Sequence, residues 1–310
     1  MGYTDIPFQD LHGGIQTQLG SWLQPGGRVF YVHHSGGRST DVLEVRSRTY
    51  STLNAALGQC SSGNGDTVFL LPGHAENITG ADQMNNLVAG TNICGIGFGD
   101  NRPTLTWTAA GATFLLDVAN VMIKNIIMLM DPGTGTTTVT APMTVSAAGC
   151  GIIGCRFRTS TDANSLSTVP LLLTDGADNF TFIENHMFGA TAGECTTQMD
   201  IAGADNLIMK DNTFLGATSN TGVGIVRFKA TAATNVCLMR NSYINKKALS
   251  TMAVTGVASV TGYSYNELFG YLDNSTTTMW GTSPGLMHFF NPRTSNLAGE
   301  AGMLSTVVST

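Results

Sequence analysis

The chain has 310 residues, of which 42% are apolar and only 12% charged, about half the ~25% usual in soluble domains, and its formal net charge is −6. Thr, Ser, Asn and 37 glycines stand where charge is missing. That excludes a bundle of long surface helices, whose outer faces need Glu, Lys and Arg, and also a disordered chain, which holds too few apolar residues to fold. No run of about 18 uncharged apolar residues could cross a membrane, and 15 Lys and Arg scattered along an acidic chain argue against a nucleic-acid partner.

Residues 1–48 open with Phe8, Leu11, Trp22 and other apolar residues spaced by Gly and Gln, and continue into an extended piece, Arg28–Val32. The segment is too short for a core of its own, so it is expected to pack on the main body or on a partner. It has no basic stretch followed by an apolar core, so no secretory leader is expected. In residues 49–60, Leu53, Ala56, Leu57 and Cys60 fall at helical spacing, with Ser51 as the expected cap and Gly63 after the end. The apolar strand Val68–Leu71 follows and is stopped by Pro72-Gly73. His74 and Glu76, two apart at a strand end, share a face. They fit a metal or base–orienter pair, but a tight turn with His74 bonded to backbone is the favoured reading.

From there a repeat organises the chain. Segments beginning at Asn120, Gly149, Asn179, Asn206, Asn235 and Val260 align without gaps, and their seventh positions fall at 126, 155, 185, 212, 241 and 266. A period of 25–30 residues, with short alternating strands separated by Gly, Thr, Ser and Asp, predicts an all-β parallel β-solenoid of about seven coils over residues 49–270, with the helix at 49–60 capping its open end. The seventh position carries Asn185, Asn212, Asn241 and Asn266. Asn tolerates left-handed bends and can bond to its counterpart one coil away, so the four are expected to form a ladder. Two residues later Met128, Phe157, Met187, Phe214, Tyr243 and Leu268 are expected to stack in the interior.

Chemistry on such a scaffold needs carboxylates. Glu184 and Asp211 share one repeat position and would be neighbours one coil apart, a candidate acidic site. Lys210 and Arg240 lie nearby in the same repeat strands, so a solvated or ion-paired face is the favoured reading. The six cysteines show no metal spacing and read as small buried apolar residues in a reducing compartment. No catalytic, metal or cofactor set is assigned. Residues 271–310 lose the repeat, and Trp280, Phe289 and Phe290 join Phe8, Leu11 and Trp22 as candidate assembly contacts.

Three strings carry a resemblance: Tyr50–Leu57, Gly65–Gly73 with Pro72–Glu76, and Gly99–Pro103. Followed by Asn-rich coils, they resemble the pectate-lyase-like right-handed single-stranded parallel β-helix superfamily, especially the entry region of phage tailspike and virion β-helix proteins. The likeness covers roughly residues 45–270. It implies a trimeric structural protein of a phage virion, assembled in the host cytoplasm and displayed on the capsid as a decoration (cement) protein, with the major capsid protein as partner. A tail spike that binds or depolymerises carbohydrate is the alternative.

Overall fold

The computed structural model describes residues 27–34, 48–133, 137–161, 165–189, 195–216, 224–229, 231–245, 254–256, 260–271, 286–289 and 293–294. Its strands are short, mostly three or four residues. Each pairs in parallel with the strand one coil later, as Gly151–Ile153 does with Thr181–Ile183 and Arg156–Thr159 with His186–Phe188. Stacking arranges them into three long sheets. Eleven strands run from Thr49–Tyr50 to Leu286–Phe289, nine from Ala75–Ile78 to Arg293–Thr294, and six from Phe114–Leu116 to Val254–Gly256. The protein is a parallel β-solenoid of about six turns, slightly fewer than the period suggested. The extended piece near the N-terminus is the strand Val29–Val32, paired in parallel with Thr67–Leu70.

Alternation decides the core. In Met143–Val145, Leu171–Leu173 and Val226–Phe228 the outer two residues are buried and the middle one is not. Because parallel strands stack in register, each inward residue meets its counterpart ~4.8 Å away. Met128, Phe157, Met187, Phe214 and Tyr243 follow one another in register and are all buried. The rings of Phe214 and Tyr243 lie 5.1 Å apart and nearly parallel, 6° between planes.

The entry helix spans Leu53–Leu57 and buries Leu53, Ala56 and Leu57. Its cap is Thr52 rather than Ser51, with the Thr52 hydroxyl accepting from the Ala55 N–H at 3.3 Å.

The bend between the eleven- and nine-stranded sheets is where sequence and structure part. Left-handed angles fall one residue before the predicted position at Asn125, Gly154, Glu184, Asp211 and Arg240, and at the predicted position itself only at Asn266, with φ of 53–63°. An αL residue followed by a buried one turns the chain while aiming the second side chain inward. At that inward position stand Asn185, Asn212 and Asn241, each buried. The Asn212 Oδ1 accepts from the Asn185 N–H at 2.9 Å and from its Nδ2 at 3.2 Å, and Asn241 Oδ1 serves Asn212 in the same way at 3.0 and 2.8 Å. The remaining donors go to carbonyls at the middle of the preceding coil's strand, Asn185 to Ile152, Asn212 to Phe182 and Asn241 to Met209. Asn212 thus uses both amide hydrogens and receives two hydrogens on its oxygen, the full capacity of a primary amide.

The ladder continues in both directions with other chemistry. Below Asn185, the Cys155 N–H donates to Asn185 Oδ1 at 2.8 Å, and the Cys155 sulfur takes the Ile126 N–H at 3.5 Å. Above Asn241 the rung is Glu267, not Asn266: the Asn241 N–H and Nδ2 both reach its carboxylate at 3.1–3.2 Å. Likewise Leu268 is not in the interior stack. It pairs with Ser242 and is 38% exposed, while Phe269 is the register partner of Tyr243. Both corrections have one cause: in this last coil Asn266 takes the left-handed bend position, with φ 53°, and the next residue, Glu267, is the one turned inward. A bulge lies just before it, where Ala233 pairs with Val260 but Val236 with Gly262.

All six cysteines are free, with Cys94, Cys150, Cys155 and Cys195 buried. Burial pushes the Cys155 thiol up to about 12, so the sulfur stays protonated in its rung.

Replacing Asn212 with Leu strands the Asn185 N–H and the Phe182 carbonyl in the interior and should cost about 2–4 kcal/mol in urea unfolding. Cys155→Asn supplies the missing amide opposite Ile123 and should raise stability by about 1 kcal/mol.

Candidate functional site

Glu184 and Asp211 occupy the same left-handed position in successive coils, and the Glu184 N–H donates to the Lys210 carbonyl at 3.0 Å. The structure therefore makes them neighbours. Glu184 is exposed. Asp211 is gripped by Arg240 in a fork, Nε–Oδ1 2.6 Å and Nη2–Oδ2 2.7 Å, with Lys210 Nζ at 3.7 Å. The Arg240 hydrogen bonds hold the Asp211 carboxyl below its ordinary value. A carboxylate so engaged is poorly suited to act as a general acid, which needs a raised pKa.

Both residues line an open groove of about 490 Å³ along this bend, together with Arg102, Lys124, Asn125, Ile153, Gly154 and His186. The left-handed Gly154 has open space where a Cβ would stand, and this keeps the groove floor low. Arg102 is tied down by a hydrogen bond from Nη1 to the Gly154 carbonyl at 2.8 Å. Asp100 pairs with Arg158 at 2.9 Å and with Arg156 at 3.9 Å. Partial burial, then the charges of Arg156 and Arg102, lower the pKa of His186, so its ring is neutral at pH 7. Basic residues that are scattered in sequence are gathered here in space, because 102, 124, 156 and 186 fall in different coils.

His74 and Glu76 do meet, but in the interior. His74 Nε2 lies 3.1 Å from Glu76 Oε2, and that oxygen also accepts the Leu53 N–H at 2.7 Å. The pair thus clamps the first residue of the entry helix to the first coil; the His74 ring meets a carboxylate, while its backbone N–H closes the expected turn on the Leu71 carbonyl at 3.1 Å. Among the described residues, no three His, Cys, Asp or Glu side chains are grouped to hold a metal ion.

A second surface is apolar. On the outside of the eleven-stranded sheet, Ile208, Cys237, Tyr263 and Met287 follow one another in register, and beside them run Lys210, Met239 and Tyr265. Ile208, Tyr263, Tyr265 and Met287 are 40–61% exposed. At the other end of the same sheet face, Tyr31, Phe69, Cys94 and Ile96 form a buried outer cluster. Of the residues expected to make assembly contacts, Phe289 lies in the strand Leu286–Phe289 opposite Tyr265. Phe8, Leu11, Trp22, Trp280 and Phe290 lie outside the described residues.

The chain matches no known protein family, no curated protein and no solved structure.

Sequence reasoning missed Glu267, the buried end of the ladder. Burial pushes its carboxyl up to about 7, although the hydrogen bonds from Asn241 pull the other way. The folded chain keeps this proton where the unfolded chain has lost it. Stability is therefore full below about pH 4.5 and falls as pH rises toward 7, by about 3 kcal/mol in total. Melting curves between pH 5 and pH 8 should show this loss for the last coils. Glu267→Gln should flatten the profile and raise the melting temperature at pH 8 but not at pH 4.5.

Proposed function

We propose that this chain is a structural subunit of a phage virion, a capsid decoration protein that docks on the major capsid protein as a homotrimer. One observation carries the reading: an apolar outer column, Ile208, Cys237, Tyr263 and Met287, on a protein with 12% charged residues. Surfaces this poor in charge have weak protection against association, a liability for a free molecule and an asset for a subunit in a shell. The parallel β-solenoid suits the role, because stacked coils give a rigid body that presents one face over a long distance. The major capsid protein and neighbouring copies would bury this face, and many copies on one particle would make even weak docking effective. No cofactor or metal enters this reading.

The alternative is a tail spike with carbohydrate-binding or depolymerase activity, favoured by the groove that holds Glu184 and Asp211. The Arg240 clamp on Asp211 speaks against hydrolysis there.

Counting copies in purified particles by mass spectrometry and cryo-microscopy separates the two. Hundreds per particle are expected for a decoration protein, and a handful would instead mark a spike. For the isolated protein, light scattering should give a trimer that Tyr263→Lys with Tyr265→Lys converts to monomer. A wild-type monomer that also fails to bind capsids would overturn the reading.

A further inference from the structure

Asp66 is the fixed point of the entry end. It is fully buried, and its carboxylate accepts from the Arg28 N–H at 2.7 Å, Arg28 Nη2 at 2.8 Å, the Ser61 N–H at 2.8 Å and Asn64 Nδ2 at 2.5 Å. Burial alone would push this carboxyl up, but the bonds from Arg28, Ser61 and Asn64 hold it down at about 2, so it stays ionised. Arg28 also reaches the Gln59 carbonyl and the Ser61 hydroxyl, each at 2.7 Å. Through Arg28 the turn at 59–66 holds the strand Val29–Val32, which is inserted between Thr49–Tyr50 and Thr67–Leu70. Just before that strand, Gly27 lies so close to the Gly65 carbonyl that a Cβ there would clash with it.

One member of this set is chemically fragile. Asn64-Gly65 is the only Asn-Gly pair in the sequence, and Asn64 is exposed. Asparagine degrades when the next backbone nitrogen attacks its side-chain carbonyl, and a following glycine has no Cβ to block that approach. Here the Gly65 N–H makes no hydrogen bond to a described residue, so its nitrogen is not held in another contact. The Asn64 amide bonds to the residue beyond Gly65, which draws it across the intervening peptide. From these residues we infer that Asn64 is a site of spontaneous deamidation, and that the modified turn lets go of Arg28 and loosens the strand Val29–Val32. In the step, the Gly65 nitrogen bonds to Asn64 Cγ, the Cγ–Nδ2 bond breaks, and ammonia leaves with the proton from Gly65. Water then opens the five-membered imide at either carbonyl, giving aspartate or isoaspartate; nothing is oxidised or reduced. Either product sets a carboxylate where the donor to Asp66 had been, facing an ionised partner in a buried setting. Isoaspartate also adds one atom to the main chain beside the contact between Gly27 and Gly65. The inference does not depend on the assembly role, because it concerns the entry end alone.

Peptide mapping of the full chain during incubation at pH 8 tests it. The peptide holding Asn64 should gain one mass unit, and become a substrate for isoaspartate methylation, sooner than any other asparagine-bearing peptide. The gain should be slower at pH 6, because the attacking nitrogen must lose its proton. Asn64→Gln should not acquire the mass in the same time, because its longer side chain has to close a larger ring. Asn64→Asp installs one product directly. In native-state hydrogen exchange its His33 and Leu71 amides, which bond the Tyr50 and Val32 carbonyls, should exchange at least ~10-fold faster than in the unmodified chain, with the Asn212 amide unchanged. No mass gain at Asn64 in the folded chain, or an equal gain at several asparagines, would overturn the proposal. So would the same gain in Asn64→Gln, or an Asn64→Asp chain whose His33 and Leu71 amides exchange as in the unmodified one. None of these results bears on the trimer or on copy number.

Discussion

The buried amide column is the interaction on which the other features of this protein depend. A solenoid has no contacts that tie distant coils together; each coil touches only its neighbours. Hydrophobic stacking alone is tolerant of sliding, yet a slip of one residue would turn every strand inside out. Asn185, Asn212 and Asn241 remove that freedom, because their amides satisfy one another and the backbone only when the coils are in line. Leaving such groups unpaired in the interior costs more than the bonds gain when made, so the column selects register more than it adds stability.

Once register is fixed, sequence spacing becomes geometry. Residues 23–30 apart along the repeat become neighbours, and every outward position becomes part of a stripe. The apolar columns on the long sheet and the polar groove on the bend are both products of this rule. The overall charge of the chain therefore says little about any one face. Six of the 15 basic residues, Arg102, Lys124, Arg156, Arg158, Lys210 and Arg240, lie at or beside the bend, Lys124 and Lys210 at the margin of the outer sheet face, while the column through Ile208, Tyr263 and Met287 holds no charged residue. The low charge that first suggested β-structure is really the average of two very different surfaces.

Much of this was legible in the sequence. The period, the three central ladder asparagines and the stack from Met128 to Tyr243 follow from spacing alone. What escaped detection has physical causes. Asn266 matches the ladder asparagines in residue type but occupies the left-handed bend position, so in the last coil a match by identity falls one residue short of the true rung, Glu267, and of Phe269. Left-handed geometry sits on Asp211, which tolerates it, but also on Glu184 and Arg240, which have no special preference for it, because the following amide and its bonds over-determine the bend. Glu267 was hidden because a carboxylate at the end of an amide ladder looks like an ordinary surface acid. The groove was hidden because its parts come from five coils.

Native-state hydrogen exchange tests the central role of the amide column most directly. The backbone N–H groups of Asn185 and Asn212 should exchange only through global unfolding, with protection equal to that of the strand amides on either side. Exchange of these two amides through small local openings, while the flanking strands stay protected, would show that the ladder follows the register instead of setting it.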